Sequence, residues 1–165
     1  MSRHAIFYFL TVVCVLMACM SCHQGTVFNQ YESTSVRGWE RNDTISFQTE
    51  AVPEAGSYVE EVGVRISGDY PFMAVSLIVE QTVLPSGKTY TDTLACELID
   101  ENGKATGGNG VNHYQYLFPL NTLQLQKGES VHVSIRHCMK REILPGILDI
   151  GLKVSKEGSK SSLSV

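Results

Sequence analysis

In seven separate stretches of this chain, apolar side chains recur at every second residue, and turn-forming residues stand between the stretches. A period of two belongs to an extended strand with one face buried, whereas an amphipathic helix needs a period near 3.6. Ile45 and Phe47 alternate with Thr44, Ser46 and Gln48. Tyr58, Val62, Val64 and Ile66 share a face on which Glu60 is the exception. Met73, Val75, Leu77, Val79 and Val83 line the next strand, and Leu94, Cys96 and Leu98 the one after it. Tyr114 to Leu120, Ser130 to Arg136 and Leu148 to Val154 complete the set. Gly, Pro, Asn and Asp fill the gaps, with Pro85-Ser86-Gly87 and Glu101-Asn102-Gly103 as hairpin signals. No stretch sustains a helical period, although Met139 to Leu144 has room for one helical turn. The pattern predicts an all-β fold, an antiparallel β-sandwich of about 7–8 strands.

The N-terminus has a different character. Arg3 and His4 precede the apolar run Ala5 to Ala18, which ends at Cys19 and Cys22. A basic start, a short apolar core and a small residue before the cut are the parts of a secretory signal. The run falls short of the roughly 20 residues that a spanning helix needs. Leu16-Met17-Ala18-Cys19 is similar to a bacterial lipobox, in which the cut falls before a lipidated cysteine. Residues 1–21 are therefore expected to form a cleaved lipoprotein signal peptide, cut before Cys19 or Cys22. Residues 22–42 read as a tether, 43–155 as the sandwich domain and 156–165 as a flexible tail. Acyl chains on the N-terminal cysteine would attach the domain to a bilayer.

Losing the signal removes Arg3 and leaves 12 Lys and Arg against 17 Asp and Glu, a net charge of about −5. That balance argues against a nucleic-acid partner. Chemistry-bearing clusters are sparse. His132 and His137 fall on opposite faces of one strand, so they do not converge on a metal. Cys96 falls on an apolar face and Cys138 on the polar one, which speaks against a disulfide and against a Cys138–His137 catalytic pair. Gly107-Gly108-Asn109-Gly110 lacks the Lys-Ser/Thr pair and the helix of a phosphate loop and reads as a flexible connection. Asp92, Asp100 and Glu101 are scattered loop acids, with nothing to select two of them as a glycosidase pair. No catalytic residue, metal site, cofactor or small-molecule substrate is assigned.

Two surface features remain. Arg136, Lys140 and Arg141 cluster in an otherwise acidic domain and form a candidate partner patch. Tyr70, Tyr90 and Tyr114 are the tyrosines that would serve as platforms if the sandwich bound a glycan or another ligand, the alternative reading of its function.

Several segments taken in order resemble the gliding-motility lipoprotein family GldH of the Bacteroidetes. They are the signal with its cysteine, Trp39 to Phe47, Arg65 to Phe72, Asp92 to Leu94, and Met139 to Leu152. The resemblance implies a non-enzymatic, membrane-anchored envelope lipoprotein, working with other envelope proteins in gliding motility or a related envelope or secretion assembly. It supplies no catalytic residues. Family spacing to Thr26-Val27-Phe28 favours Cys22, while the local pattern favours Cys19, and both stay open. Surface-exported lipoproteins of this phylum tend to carry acids just after the cysteine. Here no acid precedes Glu32, so the domain is expected on the cell membrane or outer membrane, facing the periplasm. Mass spectrometry of the N-terminal peptide from native membranes should find the acyl groups on Cys19 or Cys22. An unmodified N-terminus would overturn the lipobox assignment.

Overall fold

The structure is a computed structural model that describes residues 25–158, so Cys19 and Cys22 lie outside the described residues. The strands are β1 (Thr26–Ser33), β2 (Trp39–Glu40), β3 (Ile45–Gln48), β4 (Gly56–Ile66), β5 (Ala74–Leu84), β6 (Lys88–Glu97), β7 (Gly108–Asn109), β8 (Tyr114–Leu125), β9 (Ser130–His137), β10 (Ile143–Leu144) and β11 (Ile147–Lys156). Eight of them are four residues or longer, and every pairing is antiparallel. One sheet runs β1-β11-β4-β8-β7, and a second runs β3-β9-β5-β6. A two-stranded ribbon, β10-β2, lies beside them. The all-β sandwich read from the period is the observed architecture.

The inner faces carry the core. Tyr58, Val62, Val64 and Ile66 of β4 are buried, as are Val75, Leu77, Val79 and Val83 of β5 and Val131, Val133 and Ile135 of β9. Each such side chain contributes about 1.5–3 kcal/mol through burial. Phe28 of β1 meets Phe47 of β3 edge to face, 6.2 Å between centroids, and closes one side of the sandwich. On the other side the Tyr116 hydroxyl donates to the Leu98 carbonyl at 2.6 Å.

Several expectations are corrected. Thr26–Ser33, placed in the tether, is strand β1, paired with β11 from Thr26↔Ser155 to Ser33↔Asp149. Its polar outer positions hide the period, because an edge strand buries little on either face. Met139 to Leu144 contains no helical turn, and Ile143–Leu144 instead pairs with Trp39–Glu40. A bulge between Ile147 and Asp149 turns Leu148 outward and puts Ile147 in the core. Met73, assigned to an inward face, precedes β5 and is exposed. Gly108–Asn109, read as part of a loose connection, pairs with Tyr114 and Gln115.

Tyr31 holds β1 in place. It lies in register with Gly151 of β11, which lies opposite Gly63 of β4. A Cβ at Gly151 would sit 2.6 Å from the Tyr31 ring and one at Gly63 2.5 Å from its hydroxyl, so the two glycines form a trough for the ring. Arg65 covers it from above, with its guanidinium carbon 3.8 Å from the ring centroid, and also lies 3.6 Å from Asp149.

Glu60 points into the core after all. It is fully buried, as is Gln81 of β5 in the facing sheet, and the Gln81 amide donates to Glu60 Oε2. Glu60 Oε1 and Gln81 Oε1 have no hydrogen-bond partner. Burial pushes the Glu60 carboxyl up to about 7; the Gln81 hydrogen bond opposes this and Asp92 adds to it. The folded value lies above the ordinary 4.5, so the unfolded chain ionises first as pH rises. This group's contribution to stability is complete below pH 4.5 and falls until about pH 7, by roughly 3 kcal/mol. In urea unfolding of the lipid-free domain, Glu60→Gln should remove that fall, and an unchanged pH slope would refute it. Gly151→Ala should cost on the order of 1–3 kcal/mol in the native background. In a Tyr31→Ala background it should cost far less, and equal costs would show that the trough does not hold the ring.

Candidate functional site

The β2–β10 ribbon closes one end of the sandwich. Trp39 and Leu144 pair on its inner side and are buried, while Glu40 and Ile143 pair on its outer side and are exposed. Trp39, the sole tryptophan, is a packed anchor, whose indole Nε1–H donates to the Asp43 carbonyl at 3.0 Å. Its ring meets His137, the last residue of β9, with centroids 5.2 Å apart and planes at 70°. His137 Nε2 lies 3.1 Å from the Trp39 carbonyl, which as an acceptor makes Nε2 the protonated nitrogen. Nδ1 is buried without a partner. Desolvation pushes the imidazole below its ordinary range against the Trp39 hydrogen bond, and neighbouring Arg41 lowers it further. The neutral ring acts as a polar spacer between the ribbon and β9.

Gly38 leads into the ribbon at a φ of 108°, where a Cβ would lie 2.6 Å from Ile143 Cγ2 and 2.9 Å from the Leu144 carbonyl oxygen. Only glycine fits this approach, and it presents the preceding residues, Val36 and Arg37, to solvent.

The three cations of the proposed patch are not equivalent. Arg136 sits on the outward face of β9, 3.5 Å from Glu80 of β5. Lys140 and Arg141 follow β9, and both are exposed. Arg141 shares a shallow depression with Arg37, Glu142, Ile143 and Pro145. A second depression runs from Ser33 to Val36 and across to Leu148 and Asp149. Arg41 pairs with Glu142 at 3.6 Å and also donates to the Lys140 carbonyl. Arg37, the cation that meets Arg141, escapes sequence reasoning because it lies in a segment without periodicity. The one local signal is the adjoining Gly38-Trp39.

The tyrosines do not assemble a platform. Tyr70 is buried, its hydroxyl donating to the Ala74 carbonyl at 3.0 Å, and burial raises its pKa. Tyr90 is exposed on β6, and Tyr114 packs partly against the core at the start of β8. Cys96 is buried, with its thiol pushed up to about 12 by desolvation, and Cys138 is exposed. Both are free, on the opposite faces that strand parity gives them. His132 and His137 likewise face apart. Asp100 stands exposed in a loop, its carboxylate accepting backbone N–H groups from Lys104 and Asn102, which hold it below the usual range. Among the described residues no three His, Cys, Asp or Glu side chains are placed to hold a metal ion.

Comparison with known proteins is informative at the level of family. A Gliding motility lipoprotein GldH homolog from Christiangramia forsetii is 24% identical over 163 residues, spanning 94% of this chain and 97% of its own. Among solved structures, a family 35 carbohydrate binding module from Clostridium thermocellum aligns with 81% of this chain and 93% of its own, at 9% identity and a TM-score of 0.38. The Eiger TNF from S. frugiperda aligns with 86% of this chain and 98% of its own, at 11% identity and a TM-score of 0.32. Neither score is high enough to carry weight for this chain. The sequence model described as GldH lipoprotein matches residues 26–154, from the first residue of β1 nearly to the end of β11. The chain therefore belongs to the GldH lipoprotein family, and as such is a membrane-anchored protein of the cell envelope.

Proposed function

We propose that this protein is a non-enzymatic component of a gliding-motility assembly, or of a related envelope or secretion assembly, with its sandwich domain facing the periplasm. The family match across the domain carries the reading, together with the gliding-motility name of its relative. The lack of any acid between the candidate cysteines and Glu32 supports the periplasmic side. Contact with other envelope proteins is assigned to the basic patch of Arg136, Lys140 and Arg141. The bilayer is engaged through acyl chains on Cys19 or Cys22. A glycan-binding role has less support, because Tyr70 is buried and Tyr90 and Tyr114 lie on different sheets.

Affinity purification of the full-length lipoprotein from native membranes should retain a reproducible set of envelope proteins. Reversing the charges of Arg136, Lys140 and Arg141 together should abolish that association. Unchanged association would retire the patch, and the absence of any envelope protein would retire the assembly reading. Protease added to intact cells should leave the domain whole, and its removal would place the domain on the cell surface.

A further inference from the structure

The two ends of the sandwich differ, and the anchor assigns them to different surroundings. The chain enters the described structure at Gly25, whose carbonyl accepts from the Lys156 amide at the far end of β11. β1 then runs its eight residues alongside β11 to Ser33, opposite Asp149. At about 3.3 Å per residue the strand carries the chain some 25 Å from its entry. The antiparallel ladders place the 49–55, 85–87 and 126–129 turns at the entry end. They place the segments 34–44, 67–73, 98–107, 110–113 and 138–146 at the opposite end.

Exposed apolar side chains follow the same polarity. Among the described residues, Val36, Met73, Val111, Ile143 and Leu148 lie at the end away from the entry, whereas Leu84 and Tyr90 lie toward the entry end. Val36 is 105% exposed, a β-branched side chain held in solvent by the turn before Gly38. The two depressions on either side of the Val36-Arg37 turn are lined by Leu148 on one flank and by Ile143 and Pro145 on the other. Around them Arg37, Lys140 and Arg141 are exposed and have no ion-pair partner among the described residues. Glu40, opposite Ile143, offsets one of these charges. The domain as a whole is acidic, so this corner runs against its average.

We infer that this corner, centred on Val36 and Ile143 and rimmed by Arg37, Lys140 and Arg141, is the docking surface for an envelope protein that presents apolar side chains flanked by Asp or Glu. The inference rests on the proposed assembly role and gives it a place and a partner chemistry. Apolar contact at the centre supplies affinity, and the cations select an acidic rim. Arg136, the remaining cation of the patch, lies 3.5 Å from Glu80. Because the tether joins at the other end, the corner is carried away from the anchoring membrane. A protein partner can meet it there, whereas the leaflet that holds the lipid cannot.

The test uses the full-length lipoprotein in its own envelope, with a photo-crosslinking residue at position 36, 143 or, as the entry-end control, 84. Positions 36 and 143 should give one discrete protein adduct, and position 84 should not. The crosslinked peptide, sequenced by mass spectrometry, should carry acidic residues beside apolar ones. Arg37→Glu with Lys140→Glu and Arg141→Glu should lower the adduct about tenfold, while Lys127→Glu, at an exposed position of the entry end, leaves it unchanged. Because all four side chains are on the surface, circular dichroism of each variant should match the parent. The inference is overturned by equal crosslinking at position 84, by an adduct insensitive to the triple reversal, or by adducts to lipid alone. Co-purification that persists with crosslinks only at the entry end sinks this surface and spares the assembly role. No protein adduct at any position, with no co-purifying protein, sinks both.

Discussion

The facing of β4 and β5 is the constraint on which the rest depends. Each is an interior strand of its sheet, and their inner side chains meet across the core. Close packing there leaves little freedom for sliding, because a one-residue slip would exchange every inward side chain for an outward one. The Glu60–Gln81 pair sits within this layer as the one side-chain hydrogen bond linking the two strands among the described residues. A fully apolar interface tolerates small shifts, whereas a buried polar pair is costly to separate. Its stabilising form is the protonated acid, which offers an O–H in a layer that otherwise leaves two buried oxygens without partners.

Orientation is set elsewhere, by β1 and its tyrosine. Pairing with β11 and the Gly63–Gly151 trough fix where the chain enters the described sandwich, the end that the proposed acyl anchor would hold toward the membrane. The β2–β10 ribbon, seated on Trp39 and His137, caps the other end and holds the Val36-Arg37 turn in the open. Edge strand, core and exposed corner are thus joined through paired strands and the packed Trp39.

Much of this was legible in the chain. Alternation located seven strands and assigned most inward faces, and it separated Cys96 from Cys138 and His132 from His137. It failed at Glu60, where polarity was read as an exception to the face. There the strand keeps its parity and the partner is a glutamine 21 residues away in another sheet. It failed at Leu148, because a bulge shifts parity without changing the residues. The corner was half legible: Lys140 and Arg141 stood out as a charge cluster, whereas Val36 and Arg37 were hidden in a segment with no period.

The sequence by itself determined the fold class, most of the turns and the family, since each rests on local pattern or on order along the chain. Only the tertiary structure decided that Thr26–Ser33 belongs to the domain, that Glu60 is buried against Gln81, and that, among the described residues, most exposed large apolar side chains lie at the end away from Gly25. Period two says which way a side chain points from its own strand. It does not say which strand lies beside it, and those three outcomes depend on neighbours distant in sequence.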